Sequence, residues 1–255
     1  VTWSYPPSGQ TTPTIDQLDG TVYSISVHAK DYAGNLESAV TAQMTLDRVG
    51  PLVAITAPMA SASHYGAART LATLSGTAQD TPAGVAYVQI QISNTSDGKK
   101  WDGLGWNVWP STYMVVNGTN PWTFSAPSWI NNKAYEVRFH DVPDNAGNKT
   151  SEAAEDVGAV NFVYDVNTPS STIVAPNGNA YLNAAAVATL RGTAFDWLNA
   201  GDSAKSDLQK IDTKIFVLSG ADAAKVYDGT QFTDGDSEAK WRPTLMTGAA
   251  GAVRD

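Results

Sequence analysis

The sequence has no cysteine and only three histidines among 255 residues. Without cysteine, disulfide frameworks and thiolate metal cages are excluded, and three scattered histidines offer little to a zinc site. Cationic residues are also scarce, since 16 Lys and Arg stand against 25 Asp and Glu, for a net charge of −9. The longest basic run is Lys99-Lys100. Such a chain lacks the basic surface that neutralises phosphates, so we expect no nucleic-acid partner.

Long apolar runs and catalytic signatures are missing as well. No run approaches the roughly 18 residues that a membrane span needs, so we expect no membrane insertion in this segment. The chain contains no Gly-x-Ser-x-Gly, no glycine-rich phosphate loop and no His-Glu-x-x-His, and we therefore expect no enzyme activity. It begins at Val1 without a charged-then-apolar leader, which leads us to expect an internal piece of a longer polypeptide.

The residues that are present favour strands and turns. Only 16% of them are charged, against about 25% in a typical domain. Several short runs alternate between apolar and polar side chains, as half-buried strands do. The clearest runs place on one side Tyr23, Ile25 and Val27; Val88, Ile90 and Ile92; Tyr135, Val137 and Phe139; and Val160, Phe162 and Tyr164. The pattern predicts an all-β chain built as two-sheet antiparallel sandwiches.

Four sequence blocks occur twice in the same order. Residues 23–35, which end in Asp-Tyr-Ala-Gly-Asn, return at 135–148, and residues 47–58 return at 165–176. The Leu-Ser-Gly-Thr-Ala-Gln-Asp block at 74–80 returns at 190–196, and Trp-Asp-Gly at 101–103 returns as Tyr-Asp-Gly at 227–229. Ordered repetition indicates duplication. It divides the chain into the closing part of one domain (1–48), a complete domain (49–166) and the opening part of a third (167–255).

These blocks resemble the tandem immunoglobulin-like domains of large bacterial surface and secreted proteins. The resemblance implies Ig-like antiparallel β-sandwich domains joined by short proline-containing linkers. It also implies an extracellular or cell-surface location and a structural, spacing or adhesive role in a surface or filament protein. The expected partners are neighbouring repeats, in the same chain or in adjacent subunits. The alternative is a set of carbohydrate-binding or accessory modules in a secreted enzyme.

Acidic residues recur at loop positions that such a sandwich brings to one end. We expect Asp47 in the linker to lie near Asp80, Asp144 and Asn148, and Asp165 to lie near Asp196 at the next junction. Carboxylate and amide oxygens are the ligands that Ca²⁺ prefers, so an interdomain calcium site is one interpretation. The other is that each aspartate only caps its own turn.

Aromatic residues suggest a second site. Five tryptophans fall between residues 101 and 129, and an exposed, coplanar row of Trp106, Trp109 and Trp129 could stack on surface glycans. The alternative is that these rings pack in and beside the core. Residues 198–210, which have no counterpart after Asp80, are predicted to form a polar loop.

Overall fold

The computed structural model describes residues 2–6, 18–108, 112–150, 158–176, 178, 181–183, 189–198 and 204–244. Within these residues the chain is all-β, as predicted, and the only helical turn is a 3₁₀ turn at Glu238–Lys240. No helix among them is long and apolar enough to cross a bilayer.

The central segment, residues 49–166, contains two sheets. Their strands are β3 (Leu52–Ala57), β4 (His64–Tyr65), β5 (Thr73–Gln79), β6 (Gln89–Asn94), β7 (Lys99–Trp101), β8 (Trp106–Asn107), β9 (Met114–Val115), β10 (Trp122–Ser125), β11 (Lys133–Phe139) and β12 (Val160–Tyr164). One sheet has three antiparallel strands in the order β10-β5-β3, and the other has seven strands in the order β4-β12-β11-β6-β7-β8, with β9 also paired to β6.

One hydrophobic core lies between these sheets. Its fully buried members include Leu74 and Ala78 from β5, Trp122 from β10, Ile90 and Ile92 from β6, Tyr135, Val137 and Phe139 from β11, and Phe162 from β12. The alternation predicted for β11 is confirmed, because its residues switch strictly between buried and half-buried. Two sheets that share one core are consistent with a β-sandwich.

Gly76 shows how closely the strands approach. A Cβ at this position would overlap the carbonyl oxygen of Ala54 and the ring of Trp122. The pairing of β3 with β5 shifts register between Ile55 and Ala57. Gly192 meets the carbonyl oxygen of Thr172 in the same way. The glycine in each Gly-Thr-Ala block is therefore required by the backbone of the partner strand.

The segments on either side form smaller sheets. β1 (Val22–Val27) pairs with β2 (Val40–Thr45), and β13 (Ser170–Ala175) pairs with β14 (Arg191–Phe195). Further along lie β15 (Asp212–Thr213), β16 (Val226–Tyr227), β17 (Phe232–Thr233) and β18 (Arg242–Pro243). Ile25 was expected to face a core, yet it is 50% exposed. Among the described strands, β1 pairs only with β2.

Candidate metal centre

Asp47 connects the end of β2 to the central segment. Its Oδ2 accepts a hydrogen bond from the backbone N–H of Ala83 at 2.8 Å, in the loop after β5. Its Oδ1 accepts from the backbone N–H of Val49 at 3.2 Å and from Nδ2 of Asn148 at 3.3 Å. One carboxylate therefore joins the linker, a loop and a hairpin.

Asp80 and Asp144 each cap a turn of their own. Asp80 Oδ2 accepts from the backbone N–H of Gly84 at 2.9 Å. The two oxygens of Asp144 accept from the backbone N–H and from Nδ2 of Asn148, both at 2.8 Å. The predicted turn caps are present, and these bonds fix the direction of both carboxylates.

The same two carboxylates lie against Asp47. Asp47, Asp80 and Asp144 each offer an oxygen, and these three oxygens lie within 4.8 Å of one another. Calcium binds oxygen at about 2.3–2.6 Å, so two ligands on opposite sides of one ion are separated by about 4.6–5.2 Å. The three side chains therefore fit a common cation. Asp80 and Asp144 therefore cap their own turns and also lie in one cluster with Asp47.

Asn148 lies beside these three carboxylates in a different role from the expected one. Its Nδ2 donates to both Asp47 and Asp144, so it is the amide nitrogen that faces the acidic side chains. Asn148 thus holds two carboxylates in place, and the structure does not present its oxygen as a ligand.

The charges at the cluster favour neutralisation of its three carboxylates. Burial, followed by the negative charges of Asp47 and Asp144, raises the pKa of the Asp80 carboxyl above its ordinary value. Three neighbouring carboxylates repel one another unless a proton or a cation lies among them. A divalent cation would supply that charge at neutral pH.

The second predicted junction contains a related pair of carboxylates. Asp165 and Asp196 are both buried, and burial together with the charge of Asp165 raises the pKa of Asp196. Oδ1 of Asp196 is buried without a hydrogen-bond donor among the described residues. A buried carboxylate oxygen without a donor is costly. A cation bound there would remove this cost.

The two junctions have equivalent sets of hydrogen bonds. Asp165 Oδ2 accepts from the backbone N–H of Ser206 at 2.7 Å and its Oδ1 accepts from that of Asn167 at 2.8 Å. These bonds correspond to those that Ala83 and Val49 donate to Asp47. The backbone N–H of Arg48 also donates to Oδ1 of Asp19 at 2.8 Å, and the backbone N–H of Val166 donates to Oδ1 of Asn131 at 2.8 Å.

Ser206 and Asp207 belong to the segment predicted as a polar loop. Part of that segment, residues 199–203, lies outside the described residues. Its far end contacts the junction, because the Ser206 backbone N–H bonds Asp165 and the Ser206 hydroxyl donates to Oδ2 of Asp196 at 3.2 Å. Little in the sequence indicates this contact, because the segment has no counterpart after Asp80.

Gly50 allows the linker to lie against the Asp144 hairpin. A Cβ on Gly50 would overlap the backbone carbonyl of Lys149. We expect Gly50→Ala to lower the free energy of unfolding by about 1–3 kcal/mol, since the clash is with backbone. The matched control is Thr168→Ala at the corresponding exposed position of the second junction, expected to change it by less than about 0.5 kcal/mol. Urea unfolding followed by circular dichroism compares them, and equal effects would contradict this packing.

The tryptophans lie elsewhere and pack against the core. Trp106 and Trp129 are half-buried beside it, with ring centroids 6.1 Å apart and planes tilted by 41°. Their indole nitrogens donate to the carbonyl oxygens of Ser128 at 3.2 Å and Leu71 at 2.8 Å. Trp109 lies outside the described residues. These two rings do not form the coplanar, exposed surface that glycan stacking requires.

The Trp-Asp-Gly and Tyr-Asp-Gly blocks form turns. Asp102 Oδ1 accepts from the backbone of Leu104 at 2.8 Å and of Gly105 at 2.7 Å, and Asp228 Oδ1 accepts from Thr230 at 2.9 Å and Gln231 at 3.0 Å. Both blocks therefore support hairpins.

No protein-family model and no curated protein matches the sequence.

Proposed function

We propose that this chain is a structural, spacing or adhesive array of Ig-like β-sandwich domains within a large extracellular bacterial surface or filament protein. The observation that carries the proposal is the pair of matching junctions. Asp47 and Asp165, at corresponding positions, each accept one hydrogen bond from the residue two places on and another from a loop of the following segment. Two junctions built alike support a tandem array.

The short linkers give such an array its mechanical character. Four residues after Asp47 the chain reaches Pro51 at the start of the next segment, and Pro169 has the same place after Asp165. A four-residue connection, bonded at its first residue to the following segment, allows little independent rotation. The domains of this array form a semi-rigid rod that extends or spaces whatever it carries.

Calcium is the cofactor that this arrangement supports. Asp47, Asp80 and Asp144 hold the ion at the first junction, and Asp165 and Asp196 contribute to the second. The ion neutralises the clustered carboxylates and ties the linker to the segment that follows it. Extracellular modules bind calcium with dissociation constants of about 10⁻⁴–10⁻³ M, which suits an array located outside the cell.

Small-angle X-ray scattering of the whole chain tests the rod. We expect wild-type protein with calcium to give one well-defined maximum dimension. Asp47→Ala removes the bonds to Ala83 and Asn148 and should broaden the distance distribution. The matched control, Asp31→Ala, removes an aspartate whose oxygens accept from the backbone N–H and from Nδ2 of Asn35 within its own hairpin. A broad distribution for wild type in calcium would overturn the rigid-array proposal.

A further inference from the structure

The first segment has a hairpin that matches the last hairpin of the central segment. Tyr23 in β1 pairs with Met44 in β2. Tyr135 in β11 pairs with Phe162 in β12 at the corresponding positions. The surroundings of the two hairpins differ, because Tyr135 and Phe162 are buried in the core. In the first segment Met44 is 39% exposed and Ile25 is 50% exposed. This hairpin thus keeps a core-facing side that the described residues of the chain leave partly uncovered.

The third segment has strands that match the other sheet of the central segment. β13 pairs with β14 at Ile173 and Gly192, with a register shift after Ile173. β3 pairs with β5 at Ile55 and Gly76, with the same shift after Ile55. Two residues before Gly192 stands Leu190, where β5 has a fully buried leucine. Leu190 is nevertheless 44% exposed and Ile173 is 77% exposed, so this side of the third segment is also partly uncovered.

Residues 211–217 take the place of β6 in the third segment. They pair with β16 through Phe216, as β6 pairs with β7 through Ser93. They pair with β18 through Thr213, as β6 pairs with β9 through Ile90. The other edge of β6 bonds β11, whereas the corresponding edge of residues 211–217 has no paired strand among the described residues. A free strand edge offers its N–H and C=O groups to another strand.

The segments that carry these two surfaces leave the central segment at opposite ends. Asp47 joins the first segment beside the hairpin after β11, where it accepts from Asn148. Asp165 follows β12, whose last residue, Tyr164, pairs with Lys133 at the start of β11. β11 has seven residues and spans about 23 Å. The surfaces of one chain are therefore kept apart, and a second copy of the chain is the partner that brings matching halves together.

We infer that the first segment of one chain docks on the third segment of a second copy, so that the two segments form one sandwich. β1 adds to the free edge of residues 211–217, as β11 adds to β6. The register of β11 with β6 places Ile25 opposite Ile215, which is 37% exposed. These two side chains, with those of Met44 and Leu190, are then removed from water in one shared core. The contact does not close on itself, so copies add head to tail into a filament. This inference rests on the proposed array of like domains and does not involve calcium.

Analytical ultracentrifugation of the full chain in chelator measures the association. The wild-type mass should rise with concentration from the monomer of 26.9 kDa past the dimer. Ile25→Asp and Ile215→Asp each block one surface and should stay monomeric. Their equimolar mixture should form a dimer and nothing larger, because each variant keeps the surface that the other lacks. The matched control Leu104→Asp changes a 95% exposed residue in the turn between β7 and β8 and should associate as wild type does.

Circular dichroism shows whether each variant still folds. Both isoleucines are exposed in a single chain, so the variant spectra should match that of monomeric wild type. Leu190→Asp blocks the same surface as Ile215→Asp from a different part of the chain, so a folding defect in one variant leaves the other for the test. A wild type that stays monomeric or stops at a closed dimer, or a folded mixture of the two blocked variants without dimer, overturns the inference. Such a failure leaves the rod proposal intact, since scattering of the monomeric chain tests that separately.

Discussion

Replacing Trp122 by alanine is expected to lower the free energy of unfolding by about 3–5 kcal/mol. The side chain is fully buried in β10, and its ring meets that of Phe139 edge-on with centroids 5.7 Å apart. The same ring lies against Gly76 of β5. It thus joins the two sheets, and alanine leaves a cavity between them that the close strand pairing cannot collapse to fill. Urea unfolding of the full chain, followed by circular dichroism, measures the loss.

Trp3 is the control for this substitution. It is 69% exposed, so Trp3→Ala should change the free energy of unfolding by less than about 0.5 kcal/mol. Similar losses for both variants would contradict a core centred between the two sheets.

Calcium is expected to stabilise the wild-type chain strongly. At about a hundred times its dissociation constant, a ligand that binds only the folded state adds about 2.7 kcal/mol. Asp80→Asn should remove most of this gain, because it neutralises one of the three clustered carboxylates. Asp102→Asn is the control, since Asp102 lies in the turn between β7 and β8 and outside the cluster. Melting curves in excess calcium and in chelator give the comparison.

The same cluster predicts the pH dependence in chelator. The pKa of Asp80 is raised above its ordinary value of 3.8, mainly by burial. The folded state therefore binds this proton more tightly than the unfolded state does. This group contributes stability below 3.8, and the contribution is lost as pH rises through the raised pKa. In chelator, Asp80→Asn should melt at or above the wild-type temperature at pH 7, and a clearly lower temperature would contradict repulsion at the cluster.

Local patterns predicted much of the fold. The period-2 alternation of β11 and β12 fixed which side chains face the core, because a sheet with one covered face leaves no other choice. The same pattern failed for Ile25, since alternation gives the direction of a side chain and not the layer that covers it. It also failed for Gln91, which alternation sends outward and neighbouring strands nevertheless bury.

The grouping of Asp47, Asp80 and Asp144 also followed from the sequence, because turns at one end of a sandwich bring their residues together. The contacts that hold these three aspartates together did not follow from the sequence. Ala83 and Ser206 act through backbone N–H groups, which leave no residue-type signal.

Isothermal titration of the metal-free wild-type chain with CaCl₂, beside Asp80→Asn, tests the calcium junction most directly. We expect saturable calcium binding by wild type, with at least one site per chain lost in Asp80→Asn. No binding heat for wild type over a range of temperatures, or identical isotherms for the two proteins, would contradict the claim that the carboxylates at this junction hold a cation.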